Sequence, residues 1–185
     1  KRGYRNVINK QLELCAEGVK CPLAIETSGH AAFAENYFLD DGAYLITKLI
    51  IKAAALAERG LALESLIDGL AEPAEERELR FKILCDDFRP VGEKVIAHFE
   101  RAAVKRAGWS ACPDNYEGIR INADKSCGDG WFLLRLSVHD PIIVLNCESN
   151  TAGGTKAMLG DIYNVIKTAP GIEILDITAL ENAVK

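Results

Sequence analysis

Residues 130–149 read GWFLLRLSVHDPIIVLNCES, and this stretch decides the fold of the second half of the chain. Taken with a period of two, Phe132, Leu134 and Leu136 share one face, while Leu133, Arg135, Ser137 and His139 share the other. Asp140-Pro141 interrupts the run, because proline cannot donate to a ladder and biases the preceding residue towards a turn or extended geometry. The reading is strand, tight loop, strand. At the end of the first strand a guanidinium, a hydroxyl and an imidazole alternate on one side, next to loop N–H groups that can converge on an anion. An arginine fork beside a hydroxyl suits phosphate through parallel charge-assisted hydrogen bonds. An arginine pairing with a nearby carboxylate at a strand end fits the same spacing, and residue order alone leaves both open.

Composition bounds the rest. A chain of 185 residues, 49% hydrophobic and 26% charged, has room for one or two domains that bury about 70% of the surface of the unfolded chain. The formal net charge of −5 and the lack of a basic, aromatic-interleaved stripe argue against nucleic acid. No apolar run is long enough to span a bilayer, and the opening KRGYRNVINK is polar, unlike a signal sequence. The six cysteines form no CxxC pair and no zinc spacing, so reduced thiols in a cytoplasmic protein are expected. The chain also opens in mid-pattern, without Met, which suggests a piece of a longer protein.

Working back from the hairpin, 116–123 alternates as a strand and is joined to it by the Gly-rich DKSCGDG loop, which makes the sheet mainly antiparallel. NTAGGTK at 150–156 lacks Walker spacing and reads as the cap of a helix over 155–168, with an edge strand over 172–177 beyond it. Arg80 to Ile83 alternates as a half-exposed strand, and Pro90 opens a helix to about Lys105. The charged, Pro-containing AEPAEERE at 71–78 reads as a domain boundary. Before it, the spacing predicts a helix over 6–17, a short strand over 19–25 demoted by Pro22, an extended segment over 31–39, a helix over 43–59 capped by Asp40-Asp41-Gly42, and a shorter helix over 61–70. The Asp pair is read as a cap and not as a metal site. Between the first two extended segments lies ETSGH, residues 26–30, a polar cluster where open α/β sheets tend to contact ligands. A loop whose side chains satisfy their own backbone is the alternative for Glu26 and Ser28, and a packed, hydrogen-bonded imidazole is the alternative for His30.

ETSGH, then FLDDG and a long helix, then GWFLLRLSVHDPIIVLNCES some hundred residues later, resemble in order and spacing the carboxy-terminal half of the α-D-phosphohexomutases, the phosphomannomutase/phosphoglucomutase family. The resemblance covers essentially the whole chain. It implies that residues 1–72 are most of the third domain, a partial α/β/α sandwich, and that residues 73–185 are the fourth, a small α+β domain with a mainly antiparallel sheet. It further implies that Glu26 and Ser28 hydrogen-bond sugar hydroxyls, that His30 lines the cleft as the tentative catalytic side chain, and that Lys1 faces the substrate. Arg135, Ser137, Val138 and His139 would then form the phosphate loop.

Two departures stand out. Val138 and His139 occupy positions where the commoner loop has Gly-Thr or Asn-Thr, and Ile25 replaces the usual glycine before the sugar-loop glutamate. The family's phosphoserine loop and Asp-rich magnesium loop occur nowhere in the chain. The expectation is therefore the substrate-recognition part of an enzyme interconverting hexose 1-phosphate and 6-phosphate. It would be inactive alone and would bind no Mg2+ itself, although the full-length enzyme uses Mg2+. Its partners would be hexose phosphates and the missing amino-terminal domains. The alternatives are phosphoglucosamine mutase, whose sugar loop usually has Gln where Thr27 stands, and a stand-alone phosphosugar-binding module.

Overall fold

A computed structural model describes residues 3–113, 115–137 and 140–185. The chain forms two compact units, Lys1–Leu70 and Ala71–Lys185.

The first unit comprises α1 (Tyr4–Ala16), β1 (Leu23–Ile25), β2 (Ala31–Phe33) and α2 (Gly42–Ala57). β1 and β2 pair antiparallel, with Ala24 opposite Ala32. The strand expected over 19–25 shrinks to its last three residues, because Pro22 has no N–H and contributes only its carbonyl, which accepts from Ala34 at 2.9 Å. The extended reading of 31–39 is also corrected. The strand stops at Phe33, a 3-10 turn covers Ala34–Asn36, and Asp40 returns to bridge Ala32. Residues 61–70 hold a single 3-10 turn, Leu63–Ile67, instead of the expected helix, with Leu66, Ile67 and Leu70 exposed. The buried centre is small: Ala24, Ala31, Ala32 and Leu56, with Gln11 tied by its Nε2 to the carbonyls of Cys21 and Ala32.

The second unit comprises β3 (Glu75–Ile83), α3 (Phe88–Lys105), β4 (Trp109–Ala111), β5 (Ile119–Ala123), β6 (Gly130–Leu136), β7 (Ile142–Ser149), α4 (Gly154–Ile166), β8 (Leu175–Asp176) and α5 (Thr178–Val184). Its six strands are ordered β4-β5-β6-β7-β3-β8, and all described pairings are antiparallel. The alternation in β6 puts Phe132 and Leu134 into the core, where they meet Ile121, Leu145, Phe81, Phe99, Met158 and Ile162. Arg135 stays on the opposite face, level with Val144 of β7 and, across it, Arg80 of β3. Burial pushes the Cys147 thiol up to about 11. All six cysteines are free thiols.

The stretch 71–78 proves to be half strand, since Glu75 to Glu78 pair with Ser149 back to Asn146. Polarity there serves a long-range contact. The Glu75 carboxylate accepts from Gly153 N at 2.7 Å, Thr155 N at 3.1 Å and Thr155 Oγ1 at 2.6 Å, which satisfies the first turn of α4 from a strand almost eighty residues away. The Gly-rich loop before α4 is therefore capped by the protein's own carboxylate. The Thr155 hydroxyl, then the Gly153 and Thr155 N–H groups, hold the Glu75 carboxyl below the ordinary glutamate value. A depressed pKa contributes stability that is present above the unfolded-state value and is lost as pH falls through the folded-state value. Urea midpoints of the wild type and Glu75→Gln should thus differ most at neutral pH and converge as the pH falls from about 6 to about 3. A pH-independent gap would show that the carboxylate charge is not what holds the helix.

Candidate functional site

In the first unit the polar cluster sits on the turn between β1 and β2. Glu26 N donates to His30 O and Gly29 N donates to Glu26 O, both at 2.9 Å, and Gly29 takes φ 90°, which a side chain would strain. This closed turn places three of the expected site residues together. Oε1 of half-buried Glu26 accepts the Gly3 N–H at 2.7 Å, and its Oε2 accepts the Ser28 hydroxyl at 2.9 Å. His30 Nδ1 lies 2.7 Å from Asp40 Oδ2, and its ring stacks on Tyr4 at 4.9 Å between centroids. With Nδ1–H donated to the carboxylate, the ring is held in one orientation and Nε2 is the nitrogen left for another partner. Lys1 lies outside the described residues.

Two contacts of His30, the Asp40 carboxylate and the Tyr4 ring, were not expected from the sequence. Asp40 orients His30, whereas Asp41 alone caps α2, accepting from Tyr44 N at 3.0 Å. The Tyr44 N–H, then the Asn36 amide, hold the Asp41 carboxyl below its usual value. No periodic spacing links residues 4, 30 and 40, so the sequence carries no signal for their meeting.

In the second unit Arg135 stands next to last in β6, on the sheet face away from the core. Neighbouring it are Glu78, Arg80 and Asn146. Asn146 Nδ2 donates to Glu78 Oε2 at 3.0 Å, and Arg80 Nε donates to Glu78 Oε1 at 2.9 Å. These two hydrogen bonds hold the Glu78 carboxyl low, with the charges of Arg80 and Arg135 adding smaller contributions. Arg135 is thus felt by a carboxylate. Beyond it, Ser137 N donates to Ile142 O at 2.9 Å, and the Ser137 hydroxyl accepts the Asp140 N–H at 3.2 Å. Ile83 N donates to Pro141 O at 2.7 Å, so both ends of the hairpin loop are tied to the sheet. Val138 and His139 lie outside the described residues.

Among the described residues no group of three or more His, Cys, Asp or Glu side chains is placed to hold a metal ion. No described helix is long and apolar enough to cross a membrane.

Comparison with known proteins agrees with the family resemblance: the chain is similar to proteins of the phosphomannomutase/phosphoglucomutase family. It is 26% identical over 155 residues to a phosphomannomutase/phosphoglucomutase of Pseudomonas syringae pv. tomato, a match covering 82% of this chain and 30% of that protein. Among solved structures it superposes on a phosphoglucomutase/phosphomannomutase family protein from Burkholderia thailandensis with a TM-score of 0.64 and 26% identity, covering 90% of this chain and 31% of that one. The chain thus spans about a third of the length of each. No protein-family model matches it.

Proposed function

We propose that this chain is the sugar- and phosphate-recognition part of a cytoplasmic phosphohexomutase that interconverts hexose 1-phosphate and 6-phosphate. Residues 1–72 serve as most of its third domain and 73–185 as its fourth. The observation that carries the reading is the turn 26–30, where a carboxylate, a hydroxyl and an oriented imidazole are gathered within five residues.

In this reading Glu26 and Ser28 hydrogen-bond neighbouring sugar hydroxyls, and a sugar lacking one of them leaves a polar group without its partner. His30, held by Asp40, relays a proton through Nε2. Arg135 and Ser137, with Val138 and His139, hold the phosphate that is not being transferred. Recognition of this kind contributes to phosphoryl transfer by positioning the substrate. Lys1, which lies outside the described residues, faces the substrate in the same reading. The nucleophilic serine and the magnesium site belong to the remainder of the enzyme, and the chain alone turns over no hexose phosphate.

Titration with glucose 1-phosphate, mannose 1-phosphate, glucosamine 1-phosphate and inorganic phosphate, followed by backbone amide NMR, tests this. Shifts at Arg135 and Ser137 are expected with all four ligands, and shifts at Glu26 to His30 only with the sugars. A preference for glucosamine 1-phosphate would favour a phosphoglucosamine mutase. Sugar-independent shifts at residues 26–30 would overturn the assignment of that turn.

A further inference from the structure

On the helical side of the second unit, α3 and the end of α4 run antiparallel and leave a cleft of about 460 Å3 between them. His98, Arg101, Lys105 and Arg106 line one wall, and Asn164 and Thr168 line the other. None of the residues lining the cleft is acidic. Four groups that carry or can carry positive charge therefore converge in a chain whose formal net charge is −5.

Two of the four are fixed in place. Arg106 is ion-paired to Asp161, and its guanidinium lies 5.1 Å from the centre of the Trp109 ring. The Thr168 hydroxyl donates to Val165 O at 2.8 Å, so at 3.1 Å from His98 it accepts the Nε2–H of that ring. Arg101 and Lys105 are exposed and, among the described residues, form no ion pair. A cluster of cations with so few carboxylate partners raises the local potential and favours an anion. The spacing adds shape. From His98 to Lys105 is seven residues of helix, a rise of about 10 Å, with Arg101 between them. The volume is that of a small-molecule cleft.

We propose that this cleft is a second anion site, separate from the hairpin loop, for a small ligand with two or more phosphate groups. One phosphate meets Arg101, with His98 beside it, and the other meets Lys105 and Arg106. Asn164 offers polar contact to whatever links them, although its Oδ1 already accepts from Lys167 Nζ at 2.8 Å. The site does not depend on the mutase reading, because none of its residues belongs to the turn 26–30 or to the hairpin.

Calorimetric titration of the full chain with sodium tripolyphosphate, and separately with inorganic phosphate, tests it. The wild type should bind tripolyphosphate at least about tenfold more tightly than phosphate, since a single phosphate spans only one end of the cleft. In an Arg135→Ala background, which removes the hairpin arginine, binding at the cleft should remain, and adding Arg101→Glu with Lys105→Glu should weaken it at least about tenfold. Arg101→Gln with Lys105→Gln gives the same test with less disturbance of charge, and far-ultraviolet circular dichroism checks that each variant is folded. Absence of binding at millimolar tripolyphosphate, or equal affinity in the folded glutamine variant, would overturn the proposal. Binding lost in Arg135→Ala alone would also overturn it, by assigning the anion to the hairpin.

Discussion

Alanine at Gly130 should deprive the second unit of most of its stability. A Cβ there would lie 1.9 Å from the backbone oxygen of Glu148 and 2.9 Å from Ser149 Cα, and no rotamer change relieves a clash with main chain. Relief requires opening the β6–β7 ladder where Gly130 pairs with Ser149. That site is rigid, because the buried Ser149 hydroxyl donates to Gly128 O at 2.6 Å. Overpacking against backbone in a sheet interior puts the cost at roughly 3 kcal/mol or more. The two tryptophans, Trp109 and Trp131, both lie in this sheet, so fluorescence in urea reads its unfolding directly. Gly160→Ala is the control, since a methyl group there meets nothing within 4 Å and lies inside α4. It should stabilise by about 0.5–1 kcal/mol. Similar midpoints for the two variants would mean that the hairpin backbone yields more readily than its packing implies.

The largest functional effect is expected at Arg135. If the proposed mutase reading holds, Arg135→Ala in the full-length enzyme removes charge-assisted hydrogen bonds to phosphate worth about 1.5–3 kcal/mol, a roughly tenfold to hundredfold loss in apparent affinity. The effect should fall on KM for both the 1-phosphate and the 6-phosphate sugar, because the loop serves whichever phosphate is not reacting. Arg135→Lys should recover part of it, since lysine supplies the charge without the planar fork. A structural arginine would behave differently. Its charge reaches Glu78, so loss of that role alone would lower the urea midpoint and leave KM unchanged.

The hairpin was legible because period-two alternation is a local signal and the buried face of β6 is wholly apolar. The cap on α2 was legible for the same reason, since Asp41 and Tyr44 lie within one turn. Long-range partners were not. Glu75 lies in a segment whose composition reads as linker, and only the fold reveals that its carboxylate caps α4. Trp109–Ala111 is too short to register as a strand until β5 pairs with it, and α5 is a seven-residue helix that the edge-strand reading of 172–177 passed over. In the candidate site, Glu26, Ser28 and His30 were legible as a polar cluster. Asp40 was read only as part of a cap, because two adjacent aspartates look equivalent in sequence while facing different partners in space.

The place of β3 in the sheet bears on how the second unit comes to be. It is made first and sits between β7 and β8, which are made last, with residues 82 and 176 paired across the length of the unit. A nascent chain emerging through β6 can zip β4, β5 and β6 together by local pairing, yet β3 stays without a neighbour until residues 142–149 follow. Loop-closure entropy is then met late, and the topology predicts that insertion of β7 between two strands already synthesised is the slow step of folding. On the ribosome β3 is joined to the sheet from its far end, by the same strand whose first residues close the hairpin beyond Arg135.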